Sequence, residues 1–183
     1  MKKAAKFIII LLAVAFLALS IGYNIVLRLY PTKYTQTVEK YAKEYAVDRA
    51  LIYAVIKCES NFNKDAVSAI GAMGLMQMTP DTFDWVQKKL DGEKQYESNK
   101  LYDPEISIKY GTYLLKLHLD EFGSVELALA AYHAGRGKVN EWLSDSSVSP
   151  NGETIEFIPY DDTRYHVDKV IKTIDIYNYL YFK

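Results

Sequence analysis

Residues 58 to 80 read CESNFNKDAVSAIGAMGLMQMTP, and the rest of the chain is organised around them. An apolar run, Leu51-Ile52-Tyr53-Ala54-Val55-Ile56, leads straight into a carboxylate at Glu59. A carboxylate at the end of a mostly buried helix pays a desolvation cost, which favours its protonated form. An Asn- and Ser-rich loop follows, then Gly71 and Gly74, then Gln77 between two flexible thioethers, Met76 and Met78. Thr79-Pro80-Asp81 closes the stretch as a helix start, with Thr79 as N-cap and proline in the first turn. A protonated acid beside a glycine-shaped, polar-edged loop suits acid chemistry on a neutral, hydroxyl-rich substrate.

Upstream, Lys2, Lys3 and Lys6 precede Phe7 to Leu27, a span without a charged residue. That span is long enough for a transmembrane helix, whereas the apolar core of a signal peptide is usually about 7–15 residues. Ala18-Leu19-Ser20 is a weak cleavage motif, so a removed signal peptide stands as the alternative. No cysteine follows the run, which excludes a lipoprotein anchor. The basic end predicts a cytoplasmic start with the rest of the chain outside, although Arg28 and Lys33 on the far side weaken the contrast. The expected division is a basic tip and membrane anchor over 1–30 and a globular domain over 31–183.

Within that domain the pattern is helical. Tyr34, Val38, Tyr41, Ala42 and Tyr45 recur at helical spacing. Asp48 can cap the next helix, which is apolar nearly all round and therefore central. Further helices are predicted from Pro80 to about Asp91, from Pro104 to Gly123, from Val125 to about Ala134, and from Asp162 onward. Residues 93–102 and 144–152 read as loops, Lys138 to Leu143 as a short turn, and Thr154 to Ile158 as a brief extended piece. The fold class is all-α.

A formal charge of −1 gives no electrostatic footprint for nucleic acid. The 16 tyrosines suit stacking on sugar rings and equally suit half-buried helix faces. Cys58 is the single cysteine; it permits no intramolecular disulfide and reads as a small buried hydrophobe beside Glu59. The three histidines, His118, His133 and His166, and that lone thiol have no metal-ligand spacing, so no metal and no cofactor are expected.

Glu59-Ser60, Ser68, the run Gly71 to Gln77, Thr79-Pro80 and Ala130-Ala131-Tyr132-His133-Ala134-Gly135 together resemble lytic transglycosylases of the soluble type, from about Tyr34 to Lys183. The resemblance implies a lysozyme-like fold that cleaves the glycan strands of bacterial peptidoglycan between N-acetylmuramic acid and N-acetylglucosamine. It implies Glu59 as the catalytic residue, first an acid on the bond oxygen and then a base that takes the muramyl C6 proton, closing a 1,6-anhydro ring. Ser68, Met76 and Gln77 match positions that hold the sugar and its N-acetyl group, and Tyr132 a tyrosine whose hydroxyl faces the acid. Two departures stand out. His133 occupies a position where the family usually has Asn. In Asp162-Thr163-Arg164-Tyr165-His166, Asp162 stands for a usual Glu and His166 for a usual Tyr. A sugar contact from His133 or Asp162 is therefore an open expectation.

Two other readings remain at this point. One is a wall-binding or assembly protein that kept the fold without turnover, against which an intact Glu59 weighs. The other is a muramidase of the goose type that adds water. A hydrolase would normally pair Glu59 with a second carboxylate, and Asp65 in the same loop is the nearest in sequence, although a surface position suits it better. The expected partners are peptidoglycan and, through residues 7–27, the cytoplasmic membrane, with the catalytic domain facing the wall. No protein partner is legible.

Overall fold

The structure, a computed structural model, describes residues 2–182, with side chains from residue 5. The chain divides into two compact units, Met1–Thr32 and Lys33–Lys183. The first is a single helix, α1 (Lys2–Leu29), and its Ala5–Leu29 portion is long and apolar enough to cross a membrane. Those 25 residues rise roughly 37 Å, against about 30 Å of bilayer hydrocarbon. None of this portion is buried within the chain, so its apolar surface is not spent on a protein core.

The second unit is all-α, as the periodicity predicts. It holds α2 (Thr35–Tyr45), α3 (Arg49–Ser60), α4 (Pro80–Asp91), a 3-10 turn (Ser98–Tyr102), α5 (Pro104–Phe122), α6 (Val125–Ala134), α7 (Arg136–Ser144) and α8 (Asp161–Tyr181). Side-chain caps start most of these helices. Asp48 accepts from the Ala50 N–H at 2.8 Å, Thr79 from Thr82, Asp103 from Glu105, and Ser124 from Leu127. Gly92 and Gly123 end α4 and α5 in the left-handed conformation.

The core forms around α3, whose residues from Ala50 to Ile56 are all buried. It packs most extensively on α8, where the Tyr53 and Tyr177 rings stack 5.4 Å apart. Burying this helix on every side fixes the position of its last turn, and Glu59 lies in that turn. Phe83, Leu101, Tyr110 and Leu114 form a second cluster on which the 61–79 loop rests through Met78.

Several local expectations are corrected. Lys138 to Leu143 is not a turn but the body of α7, because Gly135 alone, at φ 91°, breaks the chain between α6 and α7. Residues 154–158 form no strand: the segment bends, the Asn151 side chain captures the Glu153 and Thr154 N–H groups, and Ile158 alone is buried. The 93–102 loop is only partly superficial. Leu101 is wholly buried in its 3-10 turn, and the buried Gln87 amide accepts from Gln95 and Tyr96 and donates to the Tyr96 carbonyl. Tyr34 lies just outside α2 in a left-handed conformation, and α8 begins one residue early, at Asp161. On α8 the buried stripe is Thr163, Val167, Val170, Thr173 and Tyr177, with Ile171 and Ile174 only half-buried.

Candidate active site

The α3 helix stops abruptly after Glu59 and Ser60. Asn61 and Phe62 both adopt left-handed backbone conformations, at φ 51° and 63°, and the Asn61 N–H returns to the Lys57 carbonyl. Such a conformation is costly for a bulky residue; here Phe62 buries its ring beside Tyr53. Glu59 is thereby left at a helix terminus with its side chain 15% exposed. It is largely desolvated yet reachable.

The loop after α3 folds into three short antiparallel passes, with isolated bridges between Val67 and Met73 and between Met73 and Met78. Ser68 makes its tip. Its N–H donates to the Ala72 carbonyl, its hydroxyl oxygen accepts from the Ala72 N–H at 3.0 Å, and Gly71 turns the chain at φ 80°. The Ser68 O–H keeps its own proton free to donate. Gln77, at φ 47°, turns its NH₂ group inward to the Ala66 and Gly74 carbonyls at 3.1 and 2.9 Å. That amide holds the loop's shape, and only its carbonyl oxygen is left for another partner. The Met76 side chain is fully buried against Gly111, while its N–H donates to Ser107.

Tyr132, in the last turn of α6, departs from the expectation. Its hydroxyl donates to the Met76 carbonyl at 2.7 Å and has no hydrogen bond to Glu59. Burial, with the Glu59 charge nearby, pushes the phenol well above its ordinary pKa, so it stays protonated. The tyrosine ties α6 to the loop.

The two histidines that break the family pattern meet in space. The His133 and His166 rings stack at 4.4 Å with 23° between their planes. His166 places Nε2 3.2 Å from Glu59 Oε1, and that shielded nitrogen has no hydrogen-bond partner. His133 reaches Thr163 Oγ1 through Nδ1 at 3.1 Å. Asp162 is exposed and turns its carboxylate back onto the start of α8, accepting from the Thr163 N–H at 2.8 Å. Sequence reasoning identified His166 as a departure but not as a neighbour of Glu59. The available signal was that both departures are histidines.

Other candidates fall away. Asp65 is exposed and paired with Lys64 at 2.7 Å. Cys58 lies 3.6 Å from the Thr173 hydroxyl, and burial raises its thiol pKa, which disfavours a thiolate. Among the described residues no group of three or more His, Cys, Asp or Glu is arranged to hold a metal. A separate cavity of about 380 Å³, lined by Asp81, Trp85, His118 and Arg136 among others, shares Tyr132 with this cluster but contains neither Glu59 nor His166.

A mostly buried carboxyl at the end of α3, 3.2 Å from a histidine and beside a polar loop, has the arrangement an acid–base site in an all-helical domain would use. The family profile described as the transglycosylase SLT domain matches residues 36–153, and the chain belongs to that family. It is 30% identical over 152 residues to the soluble lytic murein transglycosylase of Escherichia coli (strain K12), covering 82% of this chain and 24% of that one. Over 116 residues it is 37% identical to membrane-bound lytic murein transglycosylase C of Yersinia pestis (strain Pestoides F), covering 58% of this chain and 32% of that one. The crystal structure of the 70 kDa soluble lytic transglycosylase from Escherichia coli superposes with TM-score 0.75 at 28% identity, over 84% of this chain and 25% of that one. An inactive mutant of the lytic transglycosylase Slt from Pseudomonas aeruginosa gives 0.70 at 31% identity, over 82% of this chain and 24% of that one. The chain spans about a quarter to a third of the length of the curated relatives named here.

Proposed function

We propose that this chain is a peptidoglycan lytic transglycosylase. The observation that carries the reading is Glu59, mostly buried at the end of α3, in a chain of the SLT family. Glu59 donates its proton to the glycosidic oxygen between N-acetylmuramic acid and N-acetylglucosamine as the C1–O bond breaks. The resulting carboxylate takes the proton of the muramyl C6 hydroxyl as O6 bonds C1, giving the 1,6-anhydro product. No water is consumed, and Glu59 ends protonated as it began. Asp65 points to solvent in its ion pair with Lys64, which favours a substrate hydroxyl over a second carboxylate as the source of the nucleophile. Ser68 donates its free hydroxyl proton to the sugar, Met76 and Gln77 shape the loop edge, and Tyr132 keeps that edge in register with Glu59. His133 and Asp162 border the same site.

The deciding experiment is mass analysis of peptidoglycan digested by the purified full chain in detergent. Anhydromuramyl ends are expected. Reducing muramyl ends, heavier by one water, would make the protein a muramidase, and binding without any new ends would make it a wall-binding protein.

Residues 7–27 anchor the chain as a single membrane pass in this reading, with unit 1–30 as anchor, 31–183 as catalytic domain, and the domain on the wall side. The expected result is that the full chain sediments with membranes after a high-salt wash, whereas a chain lacking residues 1–30 is released. A mature protein that begins near Ile21 and is recovered as soluble material would overturn the anchor.

A further inference from the structure

We propose that His166 is a positioning residue that holds the Glu59 carboxyl, and that His133 fixes the His166 ring by stacking. The inference rests on the reading of Glu59 as the acid and base. His166 Nε2 lies 3.2 Å from Glu59 Oε1, with the two side chains only 11% and 15% exposed. The contact is close enough for an ion pair, yet no hydrogen bond is formed to this nitrogen from any group. A buried polar atom without a partner is destabilising, and a purely apolar ring would fill the space without that cost. Catalytic contacts of this kind are often misaligned in the free enzyme and tighten when substrate binds.

A line of contacts across three helices fixes the geometry. On α8, Thr163 and His166 are three residues apart and share a face. The Thr163 hydroxyl lies 3.5 Å from Asp162 Oδ1 and 3.1 Å from His133 Nδ1. If the hydroxyl proton goes to the carboxylate, the lone pairs of Oγ1 face His133, which selects the Nδ1–H tautomer. His133 on α6 then supports the His166 ring, whose Nε2 faces Glu59 on α3. The titratable groups that act on the pair are Cys58 on α3 and Tyr132 and His133 on α6; Lys57 and Lys169 lie beside Cys58, and Asp162 beside His133. Cys58 and Tyr132 are held protonated by burial. Burial, and then the neighbouring His166, lower the His133 pKa and keep that ring neutral.

The consequence follows from counting protons. With one exchangeable proton on the pair, placed on Glu59, the carboxyl is ready as an acid, and neutral His166 in its Nε2–H tautomer donates to the unprotonated carboxyl oxygen. Once that proton has gone to the leaving oxygen, the Nε2–H tautomer of His166 steadies the carboxylate until it takes the C6 proton. At lower pH His166 gains a proton of its own. Its positive charge then favours the Glu59 carboxylate and weakens it as a base, so kcat falls on the acid side.

The test uses the full chain in detergent micelles. His166→Phe keeps the stack and removes the nitrogen. It is expected to lower kcat about 10²-fold with KM changed by no more than about twofold. His166→Gln restores a donor at similar reach and cannot titrate. It should recover most of the lost rate and move the acid limb of kcat to lower pH. Wild-type kcat and an unchanged acid limb in both variants would overturn the proposal.

A second readout needs no activity: the ¹⁵N signals of the His166 ring in the wild type and in Glu59→Gln. Replacing the carboxylate should shift the Nε2 signal, because that nitrogen faces Glu59 Oε1 at 3.2 Å. An unchanged signal would overturn the pairing even if His166→Phe fails to fold. A wild-type protein that cleaves no glycan would instead sink the reading of Glu59 and leave the NMR result standing.

Discussion

Replacing Glu59 by Gln is expected to lower glycan cleavage by about 10³-fold or more while leaving the fold and glycan binding in place. The amide occupies the same volume at the end of α3 but carries no proton to give to a leaving oxygen. It equally lacks a charge with which to take one back. Loss of acid–base function at a single residue typically costs about 10²–10⁴-fold, and in the proposed mechanism one residue carries both roles. Structure should survive, because the caps and turns that hold this helix end do not involve the carboxylate. The Asn61 N–H returns to the Lys57 carbonyl, and the Ser60 hydroxyl donates to Ile56. Turnover on purified peptidoglycan, binding to the insoluble polymer and the melting temperature together check the prediction. Wild-type turnover in a folded Gln variant would end the assignment.

Much of the fold is legible because helix periodicity and capping are local signals. Asp48, Thr79, Asp103 and Ser124 each sit at a predicted start and each caps a helix. The reading failed where local signals competed. Glycines at 135 and 137 disguise α7, although only Gly135 leaves helical geometry. The polar run at 93–102 conceals a buried leucine because its backbone is satisfied by Gln87, a residue on the preceding helix. The alternation at 154–158 lacks the neighbouring strand that alternation alone cannot supply. Glu59 and the loop after it are contiguous in sequence, which makes the candidate site legible there. The contacts that give them geometry are not local. Tyr132 spends its hydroxyl on the Met76 carbonyl, 56 residues away, and His133 meets His166 across two helices. No periodicity carries such pairings.

Gly74→Ala is expected to be the most destabilising single change in the loop, and its cause is distinct from any catalytic effect. Gly74 adopts φ 77°, where an L side chain is strained, and a Cβ there would overlap the carbonyl oxygen of Leu101. The left-handed conformation alone costs about 1–2 kcal/mol. Leu101 is fully buried in its 3-10 turn, and its backbone cannot withdraw without moving the core cluster that contains Phe83 and Tyr110. A total of about 3 kcal/mol or more is expected once overpacking is added, a large part of the about 5–15 kcal/mol that holds a typical domain folded. For a domain of this size that corresponds to a melting temperature lower by roughly 6–12 °C. The comparison that isolates the clash is Gly71→Ala. Gly71 has φ 80° but no atom within 4 Å of the added methyl, so only the conformational term of about 1–2 kcal/mol should appear. Activity should follow stability in both variants below their melting temperatures. Gly74 also donates its N–H to the Ala66 carbonyl and offers its own carbonyl to the Gln77 amide, backbone groups that alanine keeps. Equal melting temperatures for the two variants, measured on the full chain in the same detergent, would show that Leu101 yields freely and that the close approach of loop and 3-10 turn does not shape the site.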